Sequence, residues 1–124
     1  MAPKPRGVRL VRTLTICSVR VPVYRATAQQ CSKLTDCFGY WDEERTCVWI
    51  RDGQSAAAER DTLLHEACHA FLTLSGLTTT LKMMLGPVRA KRWDETDDDV
   101  GLEETLVRQA TPHLVAFCKD NKWR

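Results

Sequence analysis

The sequence predicts an α+β fold, in which a small antiparallel or mixed sheet packs on a central helix and a second helix follows. Segments typical of β-strands occupy the chain up to residue 51. Helical patterns then run over residues 55–76 and over about residues 101–119. A chain of 124 residues suffices for one domain with a modest core. We therefore expect a single domain over residues 8–124, after a flexible basic N-terminus at residues 1–7.

The first predicted strand is built around three valines. Apolar and polar residues alternate loosely over residues 8–24, and a period of two is typical of a half-buried strand. Pro22 lacks an N–H group, which restricts this strand to an edge or an irregular position. Residues 26–34 predict a short helix after it. The valines that share one face are Val19, Val21 and Val23.

Two more strands are predicted around a turn. Residues 38–41 and 46–51 flank the polar turn at residues 42–45. The second segment is dense in β-branched and aromatic residues, which favour strands. Asp52-Gly53 then ends this strand, because both residues are common in turns.

The central helix has a start signal and an end signal. Ser55 is a favourable N-cap, and the acidic residues Glu59 and Asp61 follow in the early turns. Gly76 is expected at the C′ position after the last turn. Apolar residues on more than one side predict a buried helix. Histidines and a glutamate in such a helix are costly unless something satisfies them.

The chain between the two helices is less regular. Residues 77–93 contain a Gly-Pro pair and a basic patch, and predict a long excursion over the surface. The acidic run at residues 94–99 predicts a solvated segment that also starts the next helix. That helix, over residues 101–119, has a clear apolar stripe. Pro112 lies inside it and is expected to kink or split it.

The central helix carries the pattern H-E-x-x-H at residues 65–69. Two histidines four residues apart project from the same side of a helix, about 40° apart around its axis. His65 and His69 can therefore bind one Zn²⁺, and Glu66 can act as a general base towards a metal-bound water. The motif indicates a zinc-dependent hydrolase.

A catalytic zinc site usually has a third protein ligand. His113 is the remaining histidine, but it lies far beyond the short spacing of the H-E-x-x-H-x-x-G-x-x-H pattern. Glu103 and Glu104, at the start of the second helix, are better candidates. The residues three, four, seven and eleven positions after Glu103 are all apolar, whereas the same offsets from Glu104 include two polar residues. Helical phase therefore favours Glu103, with Glu104 as the alternative.

A strand, an H-E-x-x-H helix and a glutamate on a following helix together resemble the gluzincin metallopeptidases. Residues 63–70 and 103–107 are similar to those of very small metallopeptidase-like proteins common in bacteriophage genomes, and more distantly to the core of the ImmA/IrrE-type peptidases. The resemblance covers roughly residues 38–118. It implies a minimal zincin-like domain that binds one Zn²⁺ through His65, His69 and Glu103.

The resemblance also implies a reaction and a substrate. A zinc-bound water, deprotonated by Glu66, would hydrolyse a peptide bond in an extended protein segment. The strand over residues 46–51 would be the sheet edge along which the peptide docks by β-augmentation. The residues that would contact the peptide there are Cys47, Val48, Trp49 and Ile50.

Two parts of the gluzincin pattern are missing from the chain. Gluzincins often carry an Asp or Asn four residues after the ligand glutamate, where it supports a histidine, but Val107 or Arg108 stands there in this sequence. No residue is evident that would stabilise the charge of the transition state. The candidates for that role are Tyr24, Tyr40 and the basic segment at residues 89–92.

Composition limits the partners. The net charge of +2 is too small to indicate nucleic acid as the main partner. The sequence contains no apolar run long enough for a membrane span and no signal-peptide pattern, so we expect a cytoplasmic location, in the host cell if the chain is phage-encoded. The partner we expect is a protein or peptide substrate. The alternative function is a non-catalytic, zinc-stabilised binding or inhibitory protein that uses residues 89–93 as its interface.

Overall fold

The computed structural model describes residues 8–91, Trp93 and residues 101–121. Its described part is an α+β structure with one four-stranded mixed sheet, which confirms the predicted class. The predictions for residues 1–7 and 94–99 lie outside the described residues. The strands are β1 (Arg9–Ile16), β2 (Val19–Ala26), β3 (Gly39–Asp42) and β4 (Cys47–Arg51). The helices are α1 (Ala56–Leu74), α2 (Leu77–Ala90) and α3 (Leu102–Asp120).

The sheet has the strand order β1-β2-β4-β3. β1 pairs antiparallel with β2, β2 pairs parallel with β4, and β3 pairs antiparallel with β4. The prediction that β4 forms the edge is therefore wrong, because β4 has a partner on both sides. The four residues expected to contact a peptide, Cys47, Val48, Trp49 and Ile50, are fully buried in the core. The parallel pairing with β2 is a long-range contact that the local pattern of β4 does not reveal.

The segment expected to hold one strand forms a hairpin of two. β1 and β2 are joined by Cys17 and Ser18, which both have positive φ, as in the type I′ turn of two-residue hairpins. β2 is an interior strand from Val23 to Arg25, where it pairs with both β1 and β4, but Pro22 itself lies before that double pairing begins. Pairing between β2 and β4 begins at Val23, one residue beyond Pro22. The proline is tolerated because it lies where β2 has a strand partner on the β1 side alone.

The sheet buries apolar residues on both faces. On the face towards α1, Leu63 and Leu74 of the helix pack against the strands. On the opposite face the core is closed by Leu34, from a 3-10 helix at Ser32–Leu34 that replaces the longer helix expected there. The buried strand residues on the α1 face are Val21, Val23, Val48 and Ile50. Those on the opposite face include Tyr24, Ala26, Cys47 and Trp49.

A glycine lets β3 approach α1 closely. A Cβ added at Gly39 would lie 2.5 Å from the Thr62 methyl group and 3.0 Å from Cγ of Glu66. Real Cβ contacts are not that short, so a side chain at this position would force β3 and α1 apart. The absence of a side chain at Gly39 therefore brings the main chain of β3 next to Glu66 of the motif.

The helix signals near residue 55 and residue 76 are confirmed. The Ser55 hydroxyl accepts a hydrogen bond from the Ala58 N–H at 3.1 Å, and Arg25 of β2 binds Glu59 in a bidentate ion pair. Gly76 has φ of 80° and separates α1 from α2.

The surface excursion expected over residues 77–93 is mostly helix. α2 occupies Leu77–Ala90 and has a kink at Gly86, next to Pro87. It lies on the surface, and none of its residues is buried. Pro112 does not split α3, which is a single helix from Leu102 to Asp120. Among the described residues, every helix is too short or too polar to cross a membrane.

Candidate metal centre

The first turn of α3 brings two glutamates to the motif on α1. α1 places His65 and His69 on the side that faces α3, where the buried residues Val107 and Thr111 lie. Glu103 and Glu104 occupy the first turn of α3, a position that the helix dipole favours for carboxylates. Two imidazoles and two carboxylates therefore meet between the helices.

Glu104 bridges the two histidines. Its Oε1 lies 2.8 Å from His65 Nε2, and its Oε2 lies 2.8 Å from His69 Nε2. One ligand atom from each of His65, His69 and Glu104 can be chosen so that all lie within 4.8 Å of one another. These three residues form a group that could hold a metal ion.

The group that could hold a metal ion contains Glu104, the alternative, in place of Glu103, which helical phase favours. The preference for Glu103 assumed that the most apolar stripe of α3 faces inward, but Leu106 and Leu114 of that stripe are exposed. The face that packs on α1 is rotated by about one residue and carries Val107 and Thr111 instead. Thr111 is accommodated there because its hydroxyl donates a hydrogen bond to the Val107 carbonyl. This rotation brings Glu104 to the Nε2 atoms of both histidines.

Glu103 has a different place in the site. Its Oε2 lies 2.8 Å from His69 Nδ1, on the far side of the ring from Glu104. Its Oε1 accepts hydrogen bonds at 3.1 Å from the Thr78 hydroxyl and from the indole N–H of Trp93. A carboxylate on the second nitrogen of a ligand histidine is the group that appeared to be missing four residues after the ligand. Glu103 supplies it from the position immediately before Glu104.

Sequence reasoning missed Thr78 and Trp93. Both residues lie in the stretch that was expected to be irregular surface, and no spacing rule connects them with the motif. One signal was present, because a tryptophan N–H usually finds a hydrogen-bond partner when the indole is buried. Trp93 is 5% exposed, and its carbonyl also accepts a hydrogen bond from the Glu103 N–H.

The two carboxylates control the charge of the histidine between them. Burial works to lower the pKa of His69, but the hydrogen bonds with Glu103 and Glu104 outweigh it and raise the pKa to about 10. The hydrogen bonds of His65 and His69 hold the pKa of Glu104 well below its usual value. Burial would raise the pKa of Glu103, yet its bonds to His69, Trp93 and Thr78 lower it. In the absence of a metal ion, these contacts favour the doubly protonated form of His69, which lies between two carboxylates.

Glu66 lies beside this group without belonging to it. It is 7% exposed, and its Oε2 is 3.9 Å from His65 Nε2. Burial raises the pKa of Glu66, although the two histidines work to lower it. The main chain of Trp41 on β3 lies near the Glu66 carboxylate and works to lower its pKa. The site thus contains a desolvated carboxylate with raised proton affinity next to the metal-ligating group.

Three residues considered for other roles lie away from the site. Tyr24 and Tyr40 pack on the sheet face opposite α1, so neither can stabilise a transition state at the motif. His113 is exposed on α3 and is absent from the group around His65. Arg92 of the basic segment lies outside the described residues.

Comparison of the chain with protein-family models, with curated proteins and with solved structures finds no match. A functional assignment therefore depends on the geometry of this site and on the chemistry of its side chains.

Proposed function

We propose that the protein is a zinc-dependent metallopeptidase that hydrolyses a peptide bond in an extended protein segment. The observation that carries this proposal is the placement of Glu66. A buried carboxylate with a raised pKa, 3.9 Å from one histidine of a candidate metal group, is costly for stability. Such a group is typical of a catalytic base.

The donor set suits zinc. Two imidazole nitrogens and one carboxylate oxygen, from His65, His69 and Glu104, are the three-ligand set of many zinc hydrolases and leave a coordination position for a small molecule. When bound, zinc supplies a Lewis acid at this position. Glu103 holds Nδ1 of His69 and so directs the Nε2 lone pair towards the metal position.

Glu66 then acts as general base. The attacking water transfers a proton to the Glu66 carboxylate, which burial has already made more basic. The close approach of β3 at Gly39 places that carboxylate beside the edge of the sheet. The same carboxyl group can afterwards give the proton to the leaving amine.

The proposed docking strand is β3, in place of β4. The Arg51 N–H donates a hydrogen bond to the Phe38 carbonyl at 2.9 Å, so alternate residues of β3 face β4. The main-chain groups of Gly39 and Trp41 therefore point away from β4, and no other described strand pairs with that side. An extended peptide paired there would lie beside Glu66, because Gly39 brings the main chain of β3 next to that side chain.

The test is Glu66→Gln, measured for both zinc content and cleavage of a fluorogenic random-peptide library. We expect one zinc per chain in the wild type and in the variant, with cleavage reduced about 10²–10⁴-fold in the variant. Glu44→Gln, at an exposed turn position, is the matched control and should retain full activity.

The possible failures are distinguishable. Cleavage by Glu66→Gln at the wild-type rate would show that Glu66 is not the base. Stoichiometric zinc without cleavage of any peptide by the wild type would exclude the peptidase and leave a zinc-stabilised binding protein. A wild-type protein without zinc would remove the metal centre itself.

A further inference from the structure

The hydrogen bonds around Glu103 raise the question of what keeps this carboxylate away from the metal position. Glu103 and Glu104 are neighbours in the first turn of α3, and both contact His69. Each could in principle serve as the third ligand. The structure separates their roles by contacts outside the group of His65, His69 and Glu104.

All the contacts of Glu103 point away from Glu104. Oε2 takes the Nδ1 side of His69, while Oε1 accepts from Thr78 on α2 and from Trp93. Three hydrogen-bond donors therefore hold the carboxylate. Release of either oxygen towards a metal ion would leave the buried indole N–H or the ring N–H without its partner, which is unfavourable.

Within the described part of the chain, Glu104 has no comparable restraint. Apart from the two histidines, its contact there is Arg108 at 3.3 Å, whose side chain is 62% exposed. A contact of this kind is screened by solvent and easily exchanged. Glu104 is thus free to keep its oxygens at the two Nε2 atoms, where a metal ion would bind.

From these contacts we propose that Thr78 and Trp93 are positioning residues for the metal centre. They hold Glu103 on Nδ1 of His69, which keeps Nε2 of that ring for the metal and leaves Glu104 as the third ligand. They act through Glu103 and do not contact the metal position. This inference rests on the proposed zinc site, and it assigns part of the control of zinc binding to α2 and to the residue after it.

The test measures the zinc dissociation constant by competition with a chromophoric chelator. Mutation of a residue that contacts a metal ligand, but not the metal, typically weakens metal affinity 10–100-fold. We expect about 10-fold weaker zinc binding for Trp93→Phe. Trp49→Phe is the matched control. Trp49 is also a buried indole that donates to a carboxylate, Asp42, at 3.2 Å, but it lies on the sheet face opposite α1. It should bind zinc like the wild type.

Thr78 allows a second test that separates positioning from packing. Thr78→Val keeps the shape but removes the hydroxyl donor, so zinc binding should weaken. Thr78→Ser keeps the donor and should restore wild-type affinity. If Thr78 acted only through packing, Thr78→Val would leave zinc affinity unchanged and Thr78→Ser would weaken it. Thr80→Val, which removes an exposed hydroxyl bonded to the Gly76 carbonyl, serves as its control.

A double-mutant cycle tests whether Trp93 acts through Glu103. In a Glu103→Ala background, Trp93→Phe should cause no further loss of zinc affinity. Unchanged affinity in Trp93→Phe, or equal losses with and without Glu103, overturns this inference alone. A wild-type protein that binds no zinc overturns the proposed metal centre together with it.

Discussion

The sheet and the helices of this protein are stabilised in different ways. The sheet buries large apolar side chains on both faces, and Trp49, Ile50, Val21 and Val48 are almost inaccessible to solvent. In the helical part, α2 buries none of its residues, and Met83, Met84 and Val88 are exposed. α3 leaves Leu106 and Phe117 exposed, yet it places two glutamates against two histidines. The position of α3 thus depends on polar contacts at the site to an extent that the sheet does not.

This difference has a functional consequence. Hydrophobic burial is non-directional and makes the sheet a stable platform for α1. The imidazole–carboxylate contacts between α1 and α3 are directional, and they use the same atoms that a metal ion would take. The apolar core therefore supports the site, while the site residues themselves hold α3 in place.

The largest effect of a mutation on stability is expected in the sheet. Ile50→Ala removes a fully buried side chain from the face that packs against α1 and should lower the free energy of unfolding by about 2–5 kcal/mol. Met84→Ala, at a side chain that is 78% exposed, should change it by less than about 0.5 kcal/mol. Denaturant unfolding measures both. Equal losses in the two variants would contradict the contrast between sheet and helices.

Zinc binding should narrow the difference in local stability between α3 and the sheet. Without metal, amides of α3 should exchange hydrogen faster than those of β2 and β4, because α3 can open from α1 while the sheet stays folded. Zinc at about 100 times its dissociation constant stabilises the bound state by about 2.7 kcal/mol and suppresses that opening. Hydrogen exchange with and without zinc measures the difference in exchange rate between α3 and the two strands. If zinc left this difference unchanged, the stability of α3 would not depend on the site.

A smaller effect is expected from pH in the metal-free protein. The pKa of His69 is raised from 6.5 to about 10, so its contribution to the free energy of unfolding is complete below about pH 6.5 and is lost as the pH rises towards 10. The pKa values of Glu103 and Glu104 are lowered, so their contribution to the free energy of unfolding is present above pH 4.5 and is lost as the pH falls below it. The cluster should therefore stabilise the metal-free protein most between these limits.

The measurement compares unfolding of the metal-free wild type at about pH 6 and about pH 9 with that of Glu103→Gln. The variant lacks one charged partner of His69 and should lose less stability between the two pH values. Glu66, whose pKa burial raises, titrates in both proteins and cancels in the comparison. The same pH dependence in both proteins would show that the Glu103–His69 contact contributes nothing.

The predictions from sequence were accurate where a feature is local. Ser55 caps α1 as expected, because an N-cap depends on the next three residues. The pair of histidines shares one side of α1, since a spacing of four residues fixes their directions. The predictions failed for α2, in which three threonines and a Gly-Pro pair hide a helix whose first turn contacts the site through Thr78. They also failed for the edge strand, because strand order depends on residues far apart in the chain.

Amino-acid order alone determined the α+β class, the bounds of α1 within a residue or two, and the presence of two histidines and a glutamate on that helix. These follow from periodicity and capping, which act over a few residues. Tertiary structure decided that β3 and not β4 is an edge strand, that Glu104 and not Glu103 faces both Nε2 atoms, and that Thr78 and Trp93 contact Glu103. These depend on the rotation of α3 against α1 and on strand pairing. Contacts between distant segments set both, and no local pattern encodes them.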